Sequence, residues 1–286
     1  MGKNREQALK LIKGTYDLHI HSSPSHFPRV IDDFELVREA DEYGMAGVLI
    51  KNHYETTGAR ALLVNKYSGA KTKAFGSVTL NWPVGGLNPF AVQSAIRMGA
   101  RYVWMPTRDT AHCLSYGDLP GDFYKRPGIT IFDDNGKVLK VVYEIFESAK
   151  AEGVYVASGH LSPSETIAFC KAGREINANV ILTHPDWDRT VLPLETQMEL
   201  ARMGVLVEKL GCNILMNDIS QQAMADSLRK LGTENVFMAT DCGIVGTIKP
   251  APGMANFIEQ MLDEGICEKD IRTMTVDVPK RILGEK

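Results

Sequence analysis

The chain has 286 residues, of which 44% are hydrophobic and 23% charged, and a formal net charge of −3. This is the composition of a globular protein with a substantial core, and the charge leaves no basic field to draw in nucleic acid or an anionic membrane surface. Cys113, Cys170, Cys212, Cys242 and Cys267 are scattered singly, which argues against a disulfide framework. With a polar N-terminus and no apolar run of membrane-spanning length, they point to the cytoplasm.

The elements follow a repeating rhythm: a helical stretch, a Gly or Asn, then an apolar run. After a short N-terminal helix, strands are predicted over Tyr16–His21, Ala46–His53, Lys73–Asn81, Arg101–Thr107, Val154–His160, Val180–His184, Val205–Leu210 and Val236–Asp241. The runs are rich in Val, Ile and Ala without polar alternation, as expected of parallel strands buried on both faces. Helices fall between them. Asn88-Pro89 and the capping box Ser162-Pro163-Ser164-Glu165 mark two of their starts. Eight strand–helix units predict one domain over residues 1–286, a (β/α)8 TIM-type barrel, ahead of a doubly wound open sheet. Residues 107–136 are too long for an ordinary βα connection. Asp134-Asn135-Gly136 between two apolar runs predicts a hairpin there, read as a small lid over the mouth of the barrel.

Chemistry concentrates at the strand ends, where a barrel builds its active site. The chain has seven histidines. His19 and His21, two apart on the first strand, point to one face and form a natural pair of metal ligands. Lys51 and His53 repeat that spacing on strand 2. Strand 3 offers Thr79 and Asn81, strand 4 Met105 and Thr107, strand 5 His160, strand 6 His184, strand 7 Glu208 and strand 8 Asp241. Five histidines are thus expected at one end of one barrel.

The strings Asp17-Leu18-His19-Ile20-His21, Ser158-Gly159-His160, Leu182-Thr183-His184-Pro185 and Ala239-Thr240-Asp241 resemble the amidohydrolase superfamily. Val278-Pro279-Lys280-Arg281-Ile282-Leu283-Gly284 is similar to its closing motif. The resemblance runs from residue 15 to 284 and is specific to the superfamily, not to a substrate. Asp-Leu-His-x-His-Ser and Lys-x-His-Tyr also resemble a group of amidohydrolase-like proteins of unknown function. The resemblance implies a divalent metal, most often zinc, one or two ions, held by His19, His21 and Asp241. His160 and His184 would hold a second ion or polarise the substrate. Asp241 would act as general acid–base in hydrolysis of an amide, cyclic amide, lactone or related bond. The chain departs from the binuclear pattern because strand 4 carries no bridging lysine or glutamate. Lys51 is then either a carbamylated bridge or a cation for an anionic substrate, and His53 either a ligand or a hydrogen-bonding group. Leu49–His53 also resembles the polymerase and histidinol phosphatase family, which would make the substrate a phosphoester. Zinc-dependent decarboxylases share the strand-1, strand-5 and strand-8 residues, and a barrel that binds without turnover is a further class.

Around this centre, Arg108 and His112 are expected to contact substrate, with Arg29 and Lys249 as further mouth cations that could clamp a carboxylate or phosphate. His26 lies in the first loop. Asp186, Trp187 and Asp188 follow His184, either orienting it or capping the next helix. Glu208 is open as a ligand or a partner for Lys51. Cys242 reads as packing, and Gly85-Gly86 as a turn. The expected partner is a small molecule, neither nucleic acid nor membrane, and the protein is expected to be a homo-oligomer.

Overall fold

All eight predicted strands form, and they pair in chain order as one parallel sheet curled into a barrel. They are β1 (Tyr16–His21), β2 (Gly47–Lys51), β3 (Lys73–Thr79), β4 (Ala100–Trp104), β5 (Tyr155–Ala157), β6 (Val180–Leu182), β7 (Leu206–Leu210) and β8 (Val236–Ala239). The structure, a computed structural model, describes residues 4–117, 122 and 125–285. Helices alternate with the strands. Ser162 caps the helix Pro163–Glu175 in the expected capping box with Glu165, and Asn88 caps Pro89–Arg97. No described helix is long and apolar enough to cross a membrane.

Two apolar layers result. Leu18, Leu49, Tyr102, Trp104, Ile181, Phe237 and Ala239 fill the barrel interior, closed from below by Val278, Ile282 and Leu283 of the C-terminal segment. Ile20, Val48, Ile50, Val103, Val207 and Met238 belong to the layer between strands and helices. Strict alternation would put Asp17 on the same face as His19. A bulge intervenes: Asp17 pairs with Val48 but Ile20 with Ile50, so β1 uses three residues where β2 uses two. Leu18 therefore joins the interior, His19 and His21 still face the cavity, and Asp17 is released to the seam.

That seam closes the barrel between β8 and β1. Asp241 N–H donates to the His19 carbonyl at 2.8 Å and His21 N–H to that of Cys242 at 2.9 Å. Beneath them the buried Asp17 carboxylate accepts from Thr240 Oγ1 at 2.6 Å and Thr240 N at 3.0 Å. Burial raises the Asp17 pKa to about 7, with the Thr240 hydrogen bonds opposing.

Two expectations need correction. On β4 the inward residues are Tyr102 and Trp104, not Met105, which packs outward. The register slips between Gly76 and Ser77 of β3, advancing β4 by one residue. The predicted hairpin does form, with Phe132 opposite Val138. It is pinned to the start of Pro163–Glu175, where Thr130 Oγ1 and Ile131 N–H donate to Glu165 Oε1 at 2.6 and 3.1 Å. None of its residues lines the cavity described below. Residues 118–121, 123 and 124 of the expected lid lie outside the described residues.

Gly243 makes the closest approach at the seam. At φ +105° it sits where a Cβ would fall 1.8 Å from the His21 carbonyl oxygen, whereas Gly246, at φ +89°, has open space. Gly243→Ala is expected to cost about 2–3 kcal/mol and Gly246→Ala only about 1 kcal/mol. Equal losses in paired denaturant titrations would show that the seam does not depend on this contact.

Candidate active site

Three side chains from the two sides of the seam converge. His19 Nε2 lies 3.2 Å and His21 Nε2 3.0 Å from Asp241 Oδ1. One ligand-type atom from each residue fits within 4.8 Å of the others. Asp241 reaches this position at φ +54°, and His184 its own at φ +26°. Both conformations are rare for residues with a Cβ, and such backbone is held only where the surroundings require it.

Hydrogen bonding fixes the imidazoles. Glu208 Oε1 lies 3.0 Å from His19 Nδ1, and its Oε2 accepts from His184 N–H at 3.1 Å. A carboxylate can only accept, so the His19 proton is assigned to Nδ1 and Nε2 presents its lone pair to the centre. Lys51 Nζ lies 2.7 Å from that nitrogen. For His184, the Thr190 hydroxyl spends its proton on the His184 carbonyl at 2.9 Å, so it accepts from Nδ1–H at 3.1 Å and Nε2 again carries the lone pair. His53 is reversed. Thr107 Oγ1 accepts from Asn81 Nδ2 at 2.7 Å, and among the described residues its own proton has only His53 Nδ1, at 2.8 Å, as acceptor. His53 is therefore assigned its proton on Nε2, as a donor toward the cavity.

Electrostatics agree with neutral rings. Burial lowers His53, His160 and His184 well below the usual histidine range. Burial, then the charge of Arg29, brings His21 to about 3. Burial also lowers Lys51. For Asp241 burial pushes upward, but the adjacent His19 and His21 outweigh it and hold the carboxyl well below its normal range. Neutral imidazoles beside an ionised carboxylate form a donor set ready for a divalent cation.

A cavity of about 170 Å³ opens above the cluster, with His21, Lys51, His53, His160, His184 and Asp241 among its lining. His160 and His184 lie with ring centres 4.9 Å apart, and each meets the edge of Trp187 at 5.1 Å. Arg108, Cys212, Asn213, Met216, Asp218, Ile244 and Thr247 complete the wall. Trp104 supports the floor, 5.4 Å from the His19 ring and 5.0 Å from Lys51 Nζ. It stands on the strand where binuclear relatives were expected to carry a bridging group.

Several candidates lie elsewhere. His112 does not line the cavity; its Nε2 lies 2.6 Å from the Arg189 carbonyl. Lys249 pairs outward with Glu39 at 3.3 Å. Asp186 does not orient His184; it is held by the buried Lys209 ammonium at 2.8 and 2.9 Å. Thr190, Trp104, Asn213 and Asp218 carried no motif. Only their distance along the chain from strand ends hinted at a role.

The family model for a family of unknown function, DUF6282, matches residues 14–208, well over half of the sequence. The chain belongs to this family. No curated protein matches it. Among solved structures, this DUF6282 chain is similar to an amidohydrolase from Pseudomonas aeruginosa at 11% identity and TM-score 0.65, over 98% of this chain and 99% of the other. It is similar to the probable dipeptidase PvdM from Pseudomonas aeruginosa at 14% identity and TM-score 0.65, over 99% and 97%. It is similar to an organophosphorus hydrolase from Deinococcus radiodurans at 13% identity and TM-score 0.59, over 97% and 94%. The DUF6282 chain thus shares the barrel fold of these structures, a scaffold that hosts many reactions.

A divalent cation fits the centre on this geometry. Asp241 Oδ1 is buried without a hydrogen-bond donor, the His19 lone pair is aimed at it, and Glu208 supplies the outer carboxylate that orients a ligating imidazole. In the DUF6282 chain, Glu208→Ala is expected to weaken zinc affinity ~10–100-fold. Competition against a chromogenic chelator measures this, and unchanged affinity would remove Glu208 from the ligand-orienting role.

Proposed function

We propose that this protein is a metal-dependent hydrolase that cleaves an amide, cyclic amide, lactone or related bond in a small molecule. The observation that carries the reading is the convergence of His19 Nε2 and His21 Nε2 on Asp241 Oδ1 beneath a histidine-lined cavity. His19, His21 and Asp241 would hold a divalent ion, zinc fitting the N,N,O donor set. His160 and His184 would hold a second ion or polarise the substrate. When bound, such an ion supplies Lewis-acid polarisation and makes a water acidic enough to lose a proton near neutral pH.

The chain's own residues supply the rest. Asp241, ionised, accepts the water's proton and returns it to the leaving group. His53 Nε2–H donates to a substrate oxygen, steadied from behind by Thr107 and Asn81. Lys51 either stays an amine, hydrogen-bonded to His19 and adding positive charge when protonated, or takes up carbon dioxide as a carbamate beside His19. Trp187 closes one side of the cavity against water.

The test is a screen of the zinc-loaded protein with aryl esters, lactones, dipeptides, aryl phosphates and aromatic carboxylic acids. The account expects turnover of an acyl compound and a loss of more than ~100-fold in kcat for Asp241→Asn with metal retained. Turnover of phosphoesters alone, or carbon dioxide release alone, would replace the reading with the corresponding alternative. Activity unchanged in Asp241→Asn would remove its proton-transfer role.

A further inference from the structure

Arg29 is a cation without a hydrogen-bonded acceptor. Among the described residues its guanidinium forms no ion pair and no hydrogen bond, and its Nε is buried without a partner. Burial lowers its pKa to about 10, so it remains charged at neutral pH. A shielded guanidinium with no acceptor is costly unless something supplies one. Its place is defined by Phe27. The Arg29 guanidinium lies 5.5 Å and that of Arg108 4.6 Å from the centre of this ring. The edge of the same ring meets His53 at 5.6 Å. The Arg29 backbone bridges to Ile244, a cavity residue, and Arg108 lines the cavity itself.

The neighbouring guanidinium groups have acceptors of their own. Arg126 pairs with Asp109 and, at 3.3 Å, with Asp122, while Arg108 reaches Asp122 at 3.4 Å. Asp241 and Asp218 line the cavity as well, and the Asp241 charge acts on Arg29 without a direct contact. Beside these carboxylates a monoanion meets less repulsion than a phosphate monoester dianion. The planar fork of arginine matches a carboxylate. Trp187, Met216 and Ile244 give the cavity wall an apolar stretch.

We infer that the substrate is a small carboxylic acid whose carboxylate docks on Arg29 beside Arg108, with its apolar body against Trp187 and its scissile group toward His53 and Asp241. The inference rests on the proposed function for the location of the reacting end. The clamp itself can be tested without turnover.

The probes are benzoate, acetophenone as its uncharged and unhydrolysable counterpart, and phenyl phosphate, titrated calorimetrically into the zinc-loaded full chain. Benzoate is expected to bind at least ~10-fold more tightly than either of the others. Arg29→Gln is expected to weaken benzoate ~10–100-fold without affecting acetophenone, and Arg29→Lys to recover part of the loss. Metal content and melting temperature are measured on the same samples. They separate a failed fold or a failed metal centre from a failed clamp. Benzoate no tighter than acetophenone, benzoate affinity undiminished in a folded Arg29→Gln protein, or phenyl phosphate binding more tightly than benzoate would each overturn the inference.

Discussion

The closure of the barrel between β8 and β1 is the constraint on which the site depends. Asp241 N–H binds the His19 carbonyl, His21 N–H binds that of Cys242, and Asp17 ties both strands together through Thr240. The same hydrogen bonds that remove the sheet's free edges place Asp241 between two imidazoles from the other side of the seam. The left-handed backbone at Asp241 and the glycine at 243 are consequences of this tight crossing. The β1 bulge frees Asp17 to serve the seam while His19 and His21 keep facing the cavity. Barrel stability and ligand convergence therefore share one set of contacts.

A second layer is the sorting of charge on β7. Glu208 points inward and binds His19 and His184, while Lys209, its neighbour, points outward and holds Asp186. Both are fully buried, and each has its partners, as buried charges require. Glu208 sets the tautomer of one ring, Thr190 that of a second and Thr107 that of a third. Two rings consequently offer lone pairs and His53 offers a proton, a division of labour that no ring type alone would produce. Against this network of satisfied groups, Arg29 at the mouth is conspicuous in lacking an acceptor.

Much of this was legible in the sequence. Apolar runs, six of them following a Gly or Asn, located all eight strands, because both faces of each strand are buried and the pattern is continuous. His19, His21, Lys51, His53, His160, His184 and Asp241 do line or underlie one cavity, since strand ends share one rim. What the sequence could not show was register and reach. One slipped residue on β4 replaced Met105 with Trp104 as the interior side chain. His112 lies at the right end of the barrel but turns to the Arg189 carbonyl, and Asp186 answers to Lys209, a lysine with no motif around it. Tautomers depend on hydroxyl partners such as Thr190 and Thr107, whose positions follow from loop geometry and not from local pattern.

The central claim is that His19, His21 and Asp241 form a metal centre. Anomalous diffraction from crystals grown with zinc, recorded on both sides of the zinc absorption edge, tests it most directly. The account predicts an edge-dependent peak within coordination distance of His19 Nε2, His21 Nε2 and an Asp241 carboxylate oxygen. The same maps would count any second ion near His160 and His184 and reveal a carbamate on Lys51. Absence of a peak among these three residues, at zinc concentrations that saturate the protein in solution, would contradict it.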